Sequence, residues 1–231
     1  MQGLCMNRWV EMGRALTPEG DELNLRQRDD EFEIRFNGWE VMSSRSAVSE
    51  KAFAQVICEH LRGQSPWVLI GGLGMGYTLR ATLDAVSPTA YIVISELVPE
   101  IVAWNRGPLA DLARRPLDDM RVEVRTDGVV EVLQACTQRY DAILLDVDNG
   151  PDAVLYEPNR FLYSPAGLEM LEHALALDGI LGVWSADHSA GFESALGTVG
   201  MKWHKVDVNI KSNGGGLAHT IYLARRGHDE I

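Results

Sequence analysis

The chain has 231 residues and a mass of 25.6 kDa, enough for one domain with a small additional unit. Hydrophobic residues make up 46% and charged residues 23% of the sequence, which excludes disordered, collagen-like and coiled-coil classes. The net charge of −12 argues against nucleic acid and anionic membranes as partners. No run reaches the ~20 apolar residues of a membrane helix, and the start lacks a secretion signal, so we expect a cytoplasmic protein.

The first 48 residues are predicted to form a small β unit. Residues 1 to about 30 are polar and are predicted to be an exposed arm or a short strand with turns. In EFEIRFNGWEVMSS, apolar and polar residues alternate on both sides of Asn37-Gly38, a pair that favours the tight turn of a β-hairpin. A helix is predicted from Ser49, because apolar residues then recur at steps of three and four until Gly63.

Residues 49–231 are predicted to form one Rossmann-like α/β domain. Apolar runs rich in Val, Ile and Leu alternate with stretches of helical spacing, which is typical of a doubly wound, mostly parallel sheet with helices on both faces. The runs cover residues 67–72, 91–96, 121–126, 141–147, 179–185 and 219–225. The predicted helices cover residues 77–86, 98–105, 129–137 and 164–177. The end of the chain predicts a seventh strand and an antiparallel hairpin that turns at Gly214–Gly216.

A glycine-rich loop, GGLGMGYT, follows the first predicted strand of this domain. Its glycines are Gly71, Gly72, Gly74 and Gly76. Ligands of open parallel sheets lie beyond the carboxyl ends of the strands, and glycine lets the backbone approach a ligand closely. A dinucleotide fingerprint starting at Gly72 needs a small residue where Tyr77 stands, and no Gly-Lys-Ser/Thr follows as in a P-loop. The loop therefore favours a nucleoside with a short amino-acid-like tail.

Acidic residues follow the next three predicted strands at the same edge of the sheet. Glu96 ends the second strand, where a carboxylate can accept hydrogen bonds from both ribose hydroxyls. Asp127-Gly128 follows the third strand, and Asp127 is interpreted as a partner of an adenine amino group, as the N-cap of the next helix, or as both. Asp146 and Asp148 follow the fourth strand, where they can deprotonate an amine or stabilise a sulfonium cation. Asp148 also suits a simple turn in DNGP.

No metal site is predicted. The six histidines are scattered without the spacing of metal ligands. The three cysteines, Cys5, Cys58 and Cys136, are odd in number and far apart, which indicates neither a disulfide framework nor a cysteine zinc site.

Taken together, these motifs resemble the spermidine and spermine synthase family, a branch of the Rossmann-like S-adenosylmethionine-dependent transferases. VLIGGLGMG, ISELVPEIVAWN, RTDGVVEVL and YDAILLDVDNGP occur in that family's order and spacing. The resemblance implies a class I methyltransferase-like sheet with an antiparallel last strand, S-adenosylmethionine or its decarboxylated form as cofactor, and a homodimer. It also implies that Glu96 binds the ribose, that Asp127 binds the adenine amino group and that Asp146 stands at the place of the catalytic aspartate. Arg45, Ser49 and Glu50 would line the acceptor side if the N-terminal unit folds over the site.

The sequence departs from this family at three places. Family synthases carry GGGDGG, whose aspartate binds the amine of the aminopropyl tail, and Gly74 stands at that place here. The loop DVDNGP is shorter than the family's, and SRSAVSEKAF lacks the usual Tyr-His pair. Without the aspartate, the carboxylate of intact S-adenosylmethionine loses a repulsive neighbour and can rest on backbone N–H groups at the helix N-terminus.

These departures favour methyl transfer from S-adenosylmethionine to an unidentified small acceptor, for which a cationic amine is a candidate. Asp146 is then expected to orient or deprotonate the acceptor. The alternative is transfer of an aminopropyl group from decarboxylated S-adenosylmethionine to a small amine, which the acidic exit loop and the negative net charge favour. A homologue that binds the nucleoside without catalysis is the second alternative.

Overall fold

The N-terminal part of the chain forms a four-stranded antiparallel sheet in the order β1-β2-β3-β4. The computed structural model describes residues 8–212 and 215–227, with the side chains of residues 210–217 left out. The strands are β1 (Val10–Leu16), β2 (Glu22–Arg28), β3 (Glu31–Phe36) and β4 (Trp39–Ser43). The turn between β3 and β4 has φ of 48° at Asn37 and 84° at Gly38, as the Asn-Gly signal for a hairpin requires.

The prediction of an exposed arm or one short strand before residue 30 is wrong for the described residues, because β1 and β2 are both seven residues long. The sequence ELNLRQR looks polar, yet Leu23 and Leu25 alternate with polar residues and are only 6% and 0% exposed. Their burial depends on pairing with β3 on one side and on the packing of the larger domain below.

A seven-stranded sheet forms the centre of the molecule, in the order β10-β11-β9-β8-β5-β6-β7. The strands are β5 (Trp67–Gly71), β6 (Tyr91–Ser95), β7 (Val122–Arg125), β8 (Tyr140–Leu145), β9 (Leu175–Ser185), β10 (Lys202–Ser212) and β11 (Gly215–Arg225). Neighbours from β7 across to β9 are parallel, and β11 is antiparallel to both β9 and β10. The predicted α/β fold, with its mostly parallel sheet and antiparallel last strand, is confirmed; in the turn of the final hairpin, Gly214 lies outside the described residues.

In the described part of the chain, six α-helices connect the strands. They are α1 (Val48–Cys58), α2 (Tyr77–Ala85), α3 (Pro99–Arg106), α4 (Val129–Ala135), α5 (Pro165–Ala174) and α6 (Ala190–Thr198). Short 3₁₀ turns lie at Ala110–Ala113, Pro116–Asp118 and Glu157–Tyr163. The prediction of one helix up to residue 177 is wrong, because the chain enters β9 at Leu175. Helix α6 was not predicted; it begins where the Ser189 hydroxyl accepts the Phe192 N–H at 3.1 Å.

The two faces of the large sheet pack against different partners. In β5, Val68 and Ile70 face α1, α2 and the N-terminal sheet, whereas Leu69 faces α4, α5 and α6. All three side chains are 0% exposed, which explains why this strand reads as a continuous apolar run. The N-terminal sheet therefore shares a core with one face of the larger domain. None of the helices in the described ranges has the length and apolar character to cross a membrane.

Candidate functional site

A cavity of about 520 Å³ lies between the N-terminal sheet and the carboxyl ends of β5, β6 and β8. This volume is within the usual range for small-molecule sites. The glycine loop contributes Gly72 and Gly74 to its wall, the strand ends contribute Glu96 and Asp146, and the N-terminal sheet contributes Met42. The sheet topology thus brings together residues that are far apart in the sequence, at the edge where open α/β sheets bind ligands.

Two glycines of the loop are required by close contacts at the cavity wall. Gly72 has φ of 87°, and a Cβ there would stand 2.2 Å from the carbonyl oxygen of Asp146. Gly74 has φ of 51°, and a Cβ there would stand 2.8 Å from Met42 Sδ. Because neither position tolerates a side chain without a shift, the loop backbone itself forms this part of the wall. The other two predicted glycines, Gly71 and Gly76, do not line the cavity.

Four of the five backbone N–H groups of residues 72–76 donate hydrogen bonds within the chain. The Leu73 N–H donates to the Glu96 carboxylate, and the Gly72 and Gly76 N–H groups donate to backbone carbonyls. The Met75 N–H donates to Met42 Sδ at 3.1 Å, and a thioether is a weak acceptor. The sequence places the tail carboxylate on N–H groups at the N-terminus of α2, which begins at Tyr77, beyond these five groups; that expectation stays a prediction.

Glu96 fixes the glycine loop and also lines the cavity. Its side chain is buried, and its two oxygens accept the Leu73 N–H at 3.0 Å and the Val98 N–H at 2.9 Å. Burial raises the pKa of Glu96, and the backbone hydrogen bonds oppose this rise. An ionised carboxylate offers about four lone-pair sites, so Glu96 keeps acceptor capacity for ligand hydroxyls.

Asp146 follows β8 and lines the cavity beside the first turn of α2. The Thr78 hydroxyl donates to its Oδ2 at 2.7 Å. Burial raises the pKa of Asp146 to about 7; the Thr78 hydrogen bond opposes this rise and the negative charge of Glu50 adds to it. A carboxyl group that ionises near neutral pH can accept a proton from a bound ammonium group and release it again.

Asp148 also lines the cavity, but its carboxylate is used by the loop that follows β8. Oδ1 accepts the N–H groups of Leu155 at 2.9 Å and Tyr156 at 3.3 Å, and Oδ2 accepts the Tyr163 hydroxyl at 3.2 Å. Burial raises the pKa of Asp148, while these hydrogen bonds lower it. The side chain thereby holds residues 149–163 in a defined path over one side of the cavity.

Of the two residues predicted to bind ligand after β7, one lines the cavity and the other lies at the surface. Gly128 lines the cavity, whereas the Asp127 side chain is 48% exposed and forms an ion pair of 3.3 Å with Arg125. The Asp127 carbonyl oxygen accepts the Ser95 hydroxyl at 2.8 Å. The N-cap interpretation of Asp127 is wrong, because Gly128 takes the N-cap position of α4 and no side chain caps that helix.

Residues of the N-terminal sheet, α1 and the strands β9 and β11 complete the cavity wall. They include Arg45, Ser49, Glu50, Trp184 and His219. The sequence analysis did not identify Met42, Tyr156 or Asn159, which also line the cavity. No local signal marks these three residues, since their position depends on how the N-terminal sheet and the loop after β8 fold over the large sheet.

The cavity wall carries more acidic than basic side chains. Five carboxylates line it: Glu40, Glu50, Glu96, Asp146 and Asp148. Arg45 is the only lysine or arginine among the described lining residues, and its guanidinium pairs with Glu40. This balance favours cationic ligands. The described residues contain no group of three His, Cys, Asp or Glu side chains arranged to hold a metal ion; Cys5 and His228 lie outside them.

No family model matches the chain. A curated relative, polyamine aminopropyltransferase 1 of Streptomyces coelicolor, is 32% identical over 121 residues, which cover 52% of this chain but only 22% of that protein. Similar solved structures include the spermidine synthase of Thermotoga maritima, with a TM-score of 0.75, 17% identity and coverage of 95% of this chain and 74% of that one. A spermidine synthase in complex with the transition-state analogue AdoDATO has a TM-score of 0.74, 17% identity and coverage of 95% and 73%.

These likenesses confirm the resemblance to the spermidine synthase family at the level of the fold, and they correct the expected reaction. The expectation of methyl transfer is wrong: the curated relative is an aminopropyltransferase, and the two solved structures are spermidine synthases. The findings support the alternative, aminopropyl transfer. The matched stretch spans only about a fifth of the curated relative, so the activity of that whole protein does not pass directly to this chain.

Proposed function

We propose that this chain, which has the fold of spermidine synthases, transfers an aminopropyl group from decarboxylated S-adenosylmethionine to a small amine. One observation carries the proposal: five carboxylates and a single guanidinium line the described cavity wall. Such a wall repels the tail carboxylate of intact S-adenosylmethionine. A decarboxylated tail lacks that carboxylate, and its ammonium group suits a wall rich in carboxylates.

The donor nucleoside is assigned to the glycine-loop side of the cavity. The Gly72 and Gly74 backbone allows close approach, and Glu96 has acceptor capacity for the two ribose hydroxyls. Gly128 lies at the adenine side, and Asp127 reaches the adenine amino group only if its side chain leaves Arg125. When bound, decarboxylated S-adenosylmethionine supplies a carbon that its sulfonium group already activates.

Asp146 acts on the acceptor amine in this proposal. Because its pKa is about 7, it can take a proton from the acceptor ammonium at neutral pH. The freed nitrogen lone pair forms a bond to the propyl carbon, and the carbon–sulfur bond breaks, which leaves a neutral thioether and passes the proton through Asp146 to water. Asp148 is a positioning residue, since its carboxylate holds the loop at the acceptor side.

A comparison of the two donors tests the proposal. We expect calorimetric titration to give tighter binding of decarboxylated S-adenosylmethionine than of intact S-adenosylmethionine. Chromatography should detect 5′-methylthioadenosine when the decarboxylated donor is incubated with a small amine. Asp146→Asn should abolish this product, whereas Asp152→Asn, an exposed aspartate of the same loop, should not. Tighter binding of the intact donor, or no product with any amine, would contradict the proposal.

A further inference from the structure

One peptide unit of the glycine loop, between Gly74 and Met75, is held by a side chain at each end. Asn105 Nδ2 donates to the Gly74 carbonyl oxygen at 2.8 Å. The Met75 N–H donates to Met42 Sδ at 3.1 Å. Asn105 belongs to α3 and Met42 to β4 of the N-terminal sheet, so two elements that are distant in the sequence fix one peptide unit of the loop.

This peptide unit needs support because it follows a glycine. Gly74 has φ of 51°, and glycine adopts positive and negative φ about equally readily. Without outside contacts, the unit can therefore rotate at little cost. Gly74 also lines the cavity, so a rotation here changes the wall on the side assigned to the donor nucleoside.

The Asn105 amide is committed to backbone carbonyls. Asn105 is 1% exposed, and its Nδ2 donates to Ile101 O at 2.9 Å as well as to Gly74. Its Oδ1 has no hydrogen-bond partner in the part of the chain that the structure describes. The reverse orientation of the amide would set this oxygen against two carbonyl oxygens, so the bond to Gly74 also fixes the amide.

Met42 occupies the space beside Gly74 on the cavity side. A Cβ at position 74 would stand 2.8 Å from Met42 Sδ and 2.7 Å from Met42 Cε. The Met42 side chain is half-buried and lines the cavity. A thioether is a weak acceptor, but Met75 is 0% exposed, so within the described structure its N–H has Sδ in place of water. The N-terminal sheet thereby reaches the glycine-loop side of the cavity.

We propose that Met42 is a positioning residue for the donor, which acts with Asn105 to hold the Gly74–Met75 peptide unit in the conformation that receives the nucleoside and its tail. This role rests on the proposed function, which assigns the donor to the glycine-loop side. A buried N–H without an acceptor is unfavourable, so loss of the thioether lets the loop move away from this conformation. Donor binding then includes the cost of restoring it.

Substitutions at Met42 separate its sulfur from its bulk. Met42→Leu keeps an apolar side chain and removes the acceptor, and we expect calorimetry to give about fivefold weaker binding of decarboxylated S-adenosylmethionine. Met42→Gln restores an acceptor on a side chain of similar length and should bind within about twofold of the original chain. Met120→Leu makes the same change at a residue that is 97% exposed and should leave binding unchanged. Equal losses in Met42→Leu and Met42→Gln would overturn the role of the thioether.

Hydrogen exchange at the Met75 amide, followed by nuclear magnetic resonance, tests the contact without any ligand. Exchange should be at least about fivefold faster in Met42→Leu than in the original chain, and Met42→Gln should restore the slow rate. Met120→Leu should exchange like the original chain. An unchanged rate in Met42→Leu would show that the thioether does not hold this N–H.

Steady-state kinetics distinguish positioning of the donor from a general loss of structure. In Met42→Leu, the KM for decarboxylated S-adenosylmethionine should rise about fivefold, whereas the KM for the amine at saturating donor should stay unchanged. A rise in both KM values would contradict a role directed at the donor. Asn105→Leu combined with Met42→Leu should weaken donor binding by less than the product of the two single effects, since both side chains hold one peptide unit. Asn105 is buried, so the Met42 series decides alone if this variant does not fold.

The same measurements separate this role from the proposed function. Donor binding that is equal in Met42→Leu and the original chain overturns the role of Met42 and leaves aminopropyl transfer standing. Absence of donor binding to the original chain overturns the proposed function, and the role of Met42 in donor binding falls with it. Weaker donor binding in Met42→Leu, restored in Met42→Gln, supports both.

Discussion

The Thr78 hydroxyl donates a 2.7 Å hydrogen bond to Asp146 Oδ2, and this bond joins the first turn of α2 to the end of β8. Thr78 is the last residue of the glycine-rich segment GGLGMGYT, so the segment assigned to the donor nucleoside also affects the ionisation of the residue assigned to the acceptor. The bond stabilises the ionised form of Asp146 and opposes the rise in pKa that burial causes.

Thr78→Val removes this hydrogen bond with little change in shape, and the pKa of Asp146 should rise above its value of about 7. If Asp146 works as a base, the acidic limb of the kcat/KM profile then moves to higher pH. We expect a loss of about tenfold in kcat/KM at pH 6.5, since a hydrogen bond to a charged group contributes about 1.5 kcal/mol. The profile is measured from 5′-methylthioadenosine release between pH 6 and 9.

Thr82→Val is the matched control for this experiment. Thr82 is buried in the same helix, and its hydroxyl donates to the Thr78 carbonyl oxygen at 2.8 Å. Loss of that bond leaves the Asp146 carboxylate untouched, so the pH profile should keep its position. Equal shifts in both variants would mean that the helix, and not the Asp146 bond, sets the profile.

Asp146→Asn should stabilise the chain at alkaline pH while it abolishes turnover. The folded-state pKa of about 7 exceeds the ordinary aspartate pKa of 3.8, so the stability that Asp146 contributes is present below about pH 4 and is lost as pH rises through about 7. The variant has no such loss. We expect its free energy of unfolding at pH 8 to exceed that of the original chain by about 2–4 kcal/mol.

Urea denaturation at pH 5 and pH 8 measures this effect. The stability difference between Asp146→Asn and the original chain should grow from pH 5 to pH 8. Asp152→Asn, an exposed substitution of the same kind, should change stability by less than about 0.5 kcal/mol at both values. A constant difference across this range would show that Asp146 does not carry the expected charge penalty.

Asp148→Ala should act on stability in the opposite direction. It leaves the N–H groups of Leu155 and Tyr156 and the buried Tyr163 hydroxyl without their acceptor. Each unpaired group costs about 1–3 kcal/mol, so we expect the three together to cost at least about 3 kcal/mol. Hydrogen exchange should quicken at Leu155 and Tyr156, as measured by mass spectrometry of their peptides. Tyr163→Phe, which removes one donor and leaves the carboxylate, should keep both N–H groups protected.

The fold could be predicted from the sequence for the strands that are buried on both faces of the sheet. The strands β5, β6 and β8 are covered on both faces and read as continuous apolar runs, so the parallel sheet and the acids at its edge followed from pattern alone. In β2, Leu23 and Leu25 are separated by polar residues, and their burial depends on β3 and on the distant large sheet. The short alternation around Leu23 and Leu25 is a weak strand signal, and the local sequence does not show the long-range contacts that bury them.

The expectation of methyl transfer, which the comparisons overturn, rested on one local departure from the family's motif. The sequence places Gly74 where family synthases have an aspartate, and this absence pointed toward intact S-adenosylmethionine. The partners of the loop N–H groups, Glu96 and Met42, come from β-strand ends far along the chain. Only the folded structure places them against the loop, where they hold its backbone.

A carboxylate introduced at position 74 should improve binding of the decarboxylated donor. Gly74 lines the cavity with φ of 51°, a left-handed conformation that aspartate tolerates better than most residues. Its Cβ would stand 2.7 Å from Met42 Cε, the far end of a flexible side chain, so Met42→Ala is combined with Gly74→Asp to make room. Calorimetry should then give about tenfold tighter binding of decarboxylated S-adenosylmethionine than in Met42→Ala alone, because a charge-assisted hydrogen bond contributes about 1.5 kcal/mol or more.

Gly74→Asn combined with Met42→Ala separates charge from shape in this experiment. Asparagine has nearly the same size and the same tolerance of positive φ, but it lacks the charge that attracts the ammonium group of the tail. The Asn variant should therefore show little of the gain, and intact S-adenosylmethionine should gain nothing from the Asp variant, since its tail carboxylate is repelled. If the Asn variant matches the Asp variant, or if both donors gain equally, then the tail does not lie against Gly74 and the position assigned to the donor is wrong.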